Sequence, residues 1–182
     1  QQLEGAYYSL GAVTLEQGDP KKAAEHLASA VLINRTDADA LFLLGKALIE
    51  SGDSKSGIDA LHLAIALVPT GWCDPYTELA NAYTAQKDTA GATYASGMVA
   101  ACEQRYAEAK TQLTAASSGK YALDALIGLG LLAEEQGDYI AAAEATGNLI
   151  RVPEMDQDAY ETTAFVYRSI EDLGYWKAPA LL

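Results

Sequence analysis

The sequence is short of the residues that chemistry usually needs. Proline is scarce, at 5 of 182 residues, while apolar residues make up 50%, which excludes a disordered chain. The only two histidines, His26 and His62, fall at different places in the repeat described below. No cysteine or carboxylate set accompanies them at metal-ligand spacing, so no metal site and no cofactor is expected. There is no Ser-His-Asp arrangement, phosphate loop or HExxH string, and no enzyme is expected. The acidic neighbours Glu134-Glu135 and Glu171-Asp172 point in different directions on a helix and read as solvated faces. Basic residues number 12 against 25 acidic ones, for a net charge of −13. That field repels nucleic acid and anionic membrane, and either attracts basic partners or simply keeps the chain soluble. No run approaches the ~18–20 apolar residues of a membrane helix, so no direct membrane insertion is expected. No signal peptide is visible. The chain starts at Gln1 and not at Met, so loss of an upstream anchor or leader is an expectation. Localisation, cytoplasmic or extracytoplasmic, stays open.

What the sequence does have is a period. The stretch Ala38–Gly71 holds two amphipathic helical patterns around a turn at Ser51-Gly52-Asp53. Shifted by 34 residues it falls on itself: Leu10 on Leu44, Gly11 on Gly45, Gly18 on Gly52, Asp19 on Asp53, Leu27 on Leu61 and Ala30 on Ala64. Small residues, apolar residues and a turn recur, and these set helix packing. A fixed period of this length implies a stacked array, not one closed core.

The repeat resembles the tetratricopeptide repeat, on Leu41, Leu44, Gly45, Leu48, Gly57, Leu61, Ala64 and Pro69, and on Tyr7, Leu10, Gly11, Thr14, Ala23, Leu27 and Ala30 one copy earlier. The resemblance implies an all-α, right-handed superhelical solenoid of antiparallel helix pairs. About five repeats plus a C-terminal capping helix are expected, at about 4–37, 38–71, 73–89 (partial), 90–122 and 123–156, with the cap at 157–173. The third copy opens with an insertion, Gly71-Trp72-Cys73, and Asp74 is the expected N-cap of its first helix. The array is expected to be irregular around residues 87–104. There the segment Asp88–Glu103 must follow one helix as its partner and precede Arg105–Ala116, so one helix serves two repeats. Gly11, Gly45, Ala80, Gly97 and Gly130 are expected to let paired helices approach closely, with Leu10, Leu44, Leu79 and Leu129 filling the space between them.

Cys73 and Cys102 lie nearly equidistant from a turn near Lys87, which puts both at one end of a hairpin. They form either a disulfide or two reduced, packed thiols.

In the tetratricopeptide family, first helices line a concave groove where peptides lie. By resemblance the lining here would be Tyr8, Phe42, Lys46, Asn81, Tyr94, Met98, Ile127, Leu131 and Phe165, with Asp39, Glu50, Asp74, Glu78, Asp124 and Glu134 nearby. The expected partner is a protein or peptide segment with apolar anchors and basic flanks. The bland alternative is that several of these side chains only pack between repeats. Lys46 and Asn81 alone are too few to hold a C-terminal carboxylate as some family members do. The expected function is a non-catalytic scaffold or adaptor. The alternatives are a structural module that self-associates, as a homo-oligomer through the apolar tail Gly174–Leu182, or the regulatory part of a larger, membrane-anchored protein.

Overall fold

The computed structural model describes residues 2–68 and 70–149. The expectations for Pro69, Phe165, the capping helix and the tail lie outside these residues. The described helices are α1 (Gln2–Glu16), α2 (Pro20–Ile33), α3 (Ala38–Glu50), α4 (Ser54–Leu67) and α5 (Asp74–Ala85). They continue with α6 (Thr89–Cys102), α7 (Tyr106–Ala116), α8 (Ala122–Glu135) and α9 (Tyr139–Leu149). Among the described residues there is no strand.

Two devices build the hairpins α1–α2, α3–α4 and α8–α9. The first is a turn of fixed form. Gly18, Gly52 and Gly137 adopt φ of 78°, 98° and 72°, the left-handed region open to glycine. The following N–H, of Asp19, Asp53 or Asp138, returns to the carbonyl of Thr14, Leu48 or Ala133 at 3.1, 2.9 and 2.8 Å, closing the preceding helix. The second device is the aspartate itself. Its carboxylate accepts from the N–H three residues on: Asp19 from Lys22 at 3.2 Å, Asp53 from Ser56 at 3.2 Å, Asp138 from Ala141 at 3.1 Å. One residue thus ends one helix and caps the next.

The same turn occurs twice more without glycine. Lys87 and Gln104 both sit at φ 60°, and the N–H groups of Asp88 and Arg105 return to Tyr83 and Ala100 at 2.9 and 2.8 Å. The helix α6 therefore has a within-pair turn at each end. Its packing agrees. In the first two pairs a glycine of the first helix faces a leucine of the second. A Cβ on Gly11 would lie 2.5 Å from Leu27 Cγ, and one on Gly45 2.8 Å from Leu61 Cγ. A glycine of the second helix also faces the first, as Gly57 faces Ile49. On α6, Gly91 meets the Tyr83 ring of α5 as a second helix does, and Gly97 meets Leu113 of α7 as a first helix does. So α6 is second helix to α5 and first helix to α7, the shared helix that the register break implied.

Cys73 and Cys102 are joined by a disulfide, with Cα atoms 5.6 Å apart. It ties the start of α5 to the end of α6. Asp74 does not cap α5. Cys73 occupies the cap position and makes no side-chain cap bond, and the helix begins one residue early, at Asp74. The Asp74 carboxylate instead favours the positive end of the helix dipole.

Consecutive pairs stack through the first helices. Ala40 and Ala47 of α3, Leu79 and Ala82 of α5, and Ala125 and Leu132 of α8 are at most 4% exposed. They lie on helices that pack against α2, α4 and α7 respectively. The expectation that Leu10 fills space within its pair is wrong: it is 51% exposed, because it lies off the face of α1 that packs on α2. Leu27, Leu61 and Leu113, fully buried, do that work from the second helices.

Candidate peptide groove

The first helices α1, α3 and α5 lie in a row, each touching the next. Their expected groove residues are partly accessible. Tyr8 and Phe42 are half-buried, and Asn81 is exposed. Burial, then Asp39 and Asp37, raise the Tyr8 hydroxyl above its ordinary pKa, so it stays a neutral donor. Phe42 meets the ring of Trp72 edge-on, centroids 5.2 Å apart. That tryptophan comes from the insertion before α5 and is tethered one residue from the disulfide. Lys46 does not stand free: its ammonium lies 3.5 Å from the Glu78 carboxylate, linking α3 to α5. Asp39, Glu50 and Asp74 are exposed.

Beyond α5 the stripe goes inside. Tyr94 and Met98 are 4% and 7% exposed and belong to the main core, not to a groove. The dual role of α6 is the reason: its first-helix face is covered by α8. The Tyr94 ring stacks on Tyr121 with planes 4° apart, and a Cβ on Gly128 would lie 2.6 Å from Met98 Sδ. Ile127 and Leu131 of α8 are half-buried and are separated from Phe42 by this packed segment. The expected single stripe is therefore cut at α6.

Sequence reasoning missed a polar cluster that the shared helix assembles. His62 Nε2 and Tyr83 Oη are 2.8 Å apart. Tyr83 meets the Tyr121 ring edge-on at 5.2 Å. Tyr121 Oη donates to Asp88 Oδ2 at 2.7 Å, and Lys120 Nζ donates to the same oxygen at 3.2 Å. Asp88 thus caps α6 through Gly91 and holds the start of α8. The Tyr121 bond, then the Gly91 N–H, keep its carboxyl below the usual range. Burial, then the Asp88 bond, push Tyr121 up to about 12. Burial lowers His62 below 6.5 and raises Asp124, each charge partly offsetting the shift of the other. Above this cluster a cleft of about 330 Å³ separates Lys55 and Asp59 of α4 from Lys120. The signal in sequence was Asp88 itself, aligned with Asp19 and Asp53. Among the described residues no group of three or more His, Cys, Asp or Glu could hold a metal ion, and no helix is long and apolar enough to cross a membrane.

No curated protein matches the chain. Among solved structures, a crystal structure of MamA is similar at 21% identity and TM-score 0.50, over 93% of this chain and 81% of that one. MamA residues 41-end from Desulfovibrio magneticus RS-1 is similar at 16% identity and TM-score 0.47, over 93% and 97% of the two chains. TTC0263, a thermophilic TPR protein of Thermus thermophilus, is similar at 17% identity and TM-score 0.44, over 90% and 98%. Residues 14–70 match the tetratricopeptide repeat family, and with the paired, stacked helices described above this makes the chain a tetratricopeptide-repeat-like helical array.

Proposed function

We propose that the chain is a non-catalytic scaffold that binds a protein segment along the row α1, α3 and α5. The observation that carries this is Phe42, an aromatic surface that its own pair leaves half-exposed, flanked by Trp72 and the Lys46–Glu78 pair. An apolar anchor beside oriented polar groups is the arrangement that fixes a peptide's register. Exposed Asp39, Glu50 and Asp74 favour basic flanks on that segment, chiefly through encounter rate. Ile127 and Leu131, on α8 beyond the buried Tyr94 and Met98 of α6, are left out of this shortened groove.

The test is selection of peptides from a random display library on the immobilised chain, followed by titration against Phe42→Glu and Asn81→Ala. Peptides enriched in an apolar residue with Lys or Arg neighbours, and weakened at least tenfold by Phe42→Glu, support the reading. Selected peptides that bind Phe42→Glu as tightly as the parent chain place the site elsewhere. Tyr94→Glu is not a suitable probe, because it would bury a charge in the core.

A further inference from the structure

The cleft over the His62 cluster shares no residue with the groove on α1, α3 and α5. One wall is α4, where Lys55, Ile58, Asp59 and His62 follow at three- and four-residue spacings and so share one face. The other wall is Lys120 with Tyr121, just before α8, and Tyr83 of α5 lies between them. One copy earlier, Ile58 and His62 are Ala24 and Ala28, so repeat packing alone does not call for the larger pair.

Three properties define what the cleft can hold. The first is charge. Two lysines, Lys55 and Lys120, line it against one carboxylate, Asp59, so it is locally positive in a chain of net −13. Asp88 and Asp124 do not line it. Lys55 is exposed and, among the described residues, has no carboxylate partner. Lys120 gives one hydrogen bond to Asp88 and one to Tyr121, and an ammonium has three to give. His62 is engaged by Tyr83 through Nε2, which leaves Nδ1 for a ligand. The second property is an apolar floor. The rings of Tyr83 and Tyr121 meet edge-on at 5.2 Å and are 3% and 5% exposed, so packing fixes the floor before anything binds. The third is size. At about 330 Å³ the cleft lies at the small end of ligand sites and suits a molecule, not a peptide segment.

We propose that this cleft binds a small organic monocarboxylate with a flat apolar body. The carboxylate lies between Lys55 and Lys120, and the body covers Tyr83 and Tyr121. A second carboxylate on the ligand would meet Asp59, which restricts the class to acids with one.

Titration of the whole chain with phenylacetate, followed by nitrogen-15 NMR, tests this. The expected result is saturable shifts centred on Lys55, His62, Gln86 and Lys120. Phenylacetamide, which lacks the charge, and acetate, which lacks the body, should each bind at least tenfold more weakly. Lys55→Glu should weaken phenylacetate at least fivefold. Lys55 is exposed, so that variant keeps its fold, which circular dichroism verifies. The groove variant Phe42→Glu should bind phenylacetate as the parent does, whether or not the groove takes a peptide. Absence of saturable shifts at tens of millimolar phenylacetate overturns the proposal. So does equal binding of phenylacetamide, or a loss on Phe42→Glu as large as that on Lys55→Glu. A peptide ending in phenylalanine that shifts the same residues and binds more tightly than the free acid overturns the assignment to a small molecule.

Discussion

Two glycines at one repeat position should respond to the same substitution with opposite signs. Gly45 and Gly130 both lie on first helices, facing a second helix. At Gly45 an added Cβ would sit 2.8 Å from Leu61 Cγ and 2.9 Å from the carbonyl oxygen of Gly57. Carbon contacts are comfortable at ~3.5–4.0 Å, and a backbone oxygen in the next helix cannot rotate away. At Gly130 the nearest atom is Ala145 Cβ at 3.9 Å, an ordinary contact. Alanine in a helix gains ~1 kcal/mol over glycine at both sites. Overpacking at Gly45 costs ~1–3 kcal/mol, so Gly45→Ala should lose about 1 kcal/mol net. Gly130→Ala keeps its gain of ~0.5–1 kcal/mol. Urea unfolding followed at 222 nm should separate the variants by about 2 kcal/mol, with wild type between them. Thermal midpoints should differ by ~4–8 °C for a chain of this size. If both variants move the same way, the close approach at Gly45 is not what holds that pair, and the packing argument fails.

Three further outcomes are expected. Replacing Cys73 and Cys102 together by serine frees a loop whose ends are 29 residues apart, which should cost ~3.5 kcal/mol in urea unfolding and weaken hydrogen-exchange protection mainly in α5 and α6. A loss below ~1 kcal/mol would mean that the pair packs well without its bond. His62 has a folded-state pKa below 6.5, so the unfolded chain takes the proton first as pH falls, and stability should drop from about pH 6.5 downward. His62→Gln should lack that part of the slope, while the opposing gain from Asp124, whose folded pKa is raised, persists; identical slopes would refute the assignment. Gln104→Gly removes a side chain from the left-handed region and should stabilise by ~0.5–1 kcal/mol in the same assay, whereas Gly52→Ala, at φ 98°, should lose about as much.

The sequence showed hairpins wherever the turn used its favoured residues. Gly18-Asp19, Gly52-Asp53 and Gly137-Asp138 each announce a helix stop and the next helix start, and each of the three glycines takes the left-handed turn. The shared helix was legible as a count that did not close, since the spacing left one helix too few. Its turns were legible in position, near Lys87 and between Glu103 and Arg105, but not in form, because Lys87 and Gln104 adopt a left-handed conformation that their identities do not advertise. Groove residues were read less well. Periodicity placed Tyr94 and Met98 on the first-helix stripe of α6, but burial depends on what lies across from a stripe. There it is Tyr121 and Gly128, more than 25 residues away in sequence. Leu10 shows the converse: the same letter is half-buried at Leu44, where the preceding helix α2 lies against α3, and half-exposed on α1. The insertion that carries Trp72 was read, but its contact with Phe42 was not, because spacing does not say which way an inserted side chain turns.

Arrays of this kind grow, shrink and exchange parts by whole hairpins, because each hairpin supplies one complete layer. A layer could be spliced out before α5 or after α7 and the remaining seams would still close. No such cut exists within α5, α6 and α7. Severing α5 from α6 leaves Gly91 facing empty space, and severing α6 from α7 strands Leu113. The trio can only be inherited, swapped or engineered as one indivisible block.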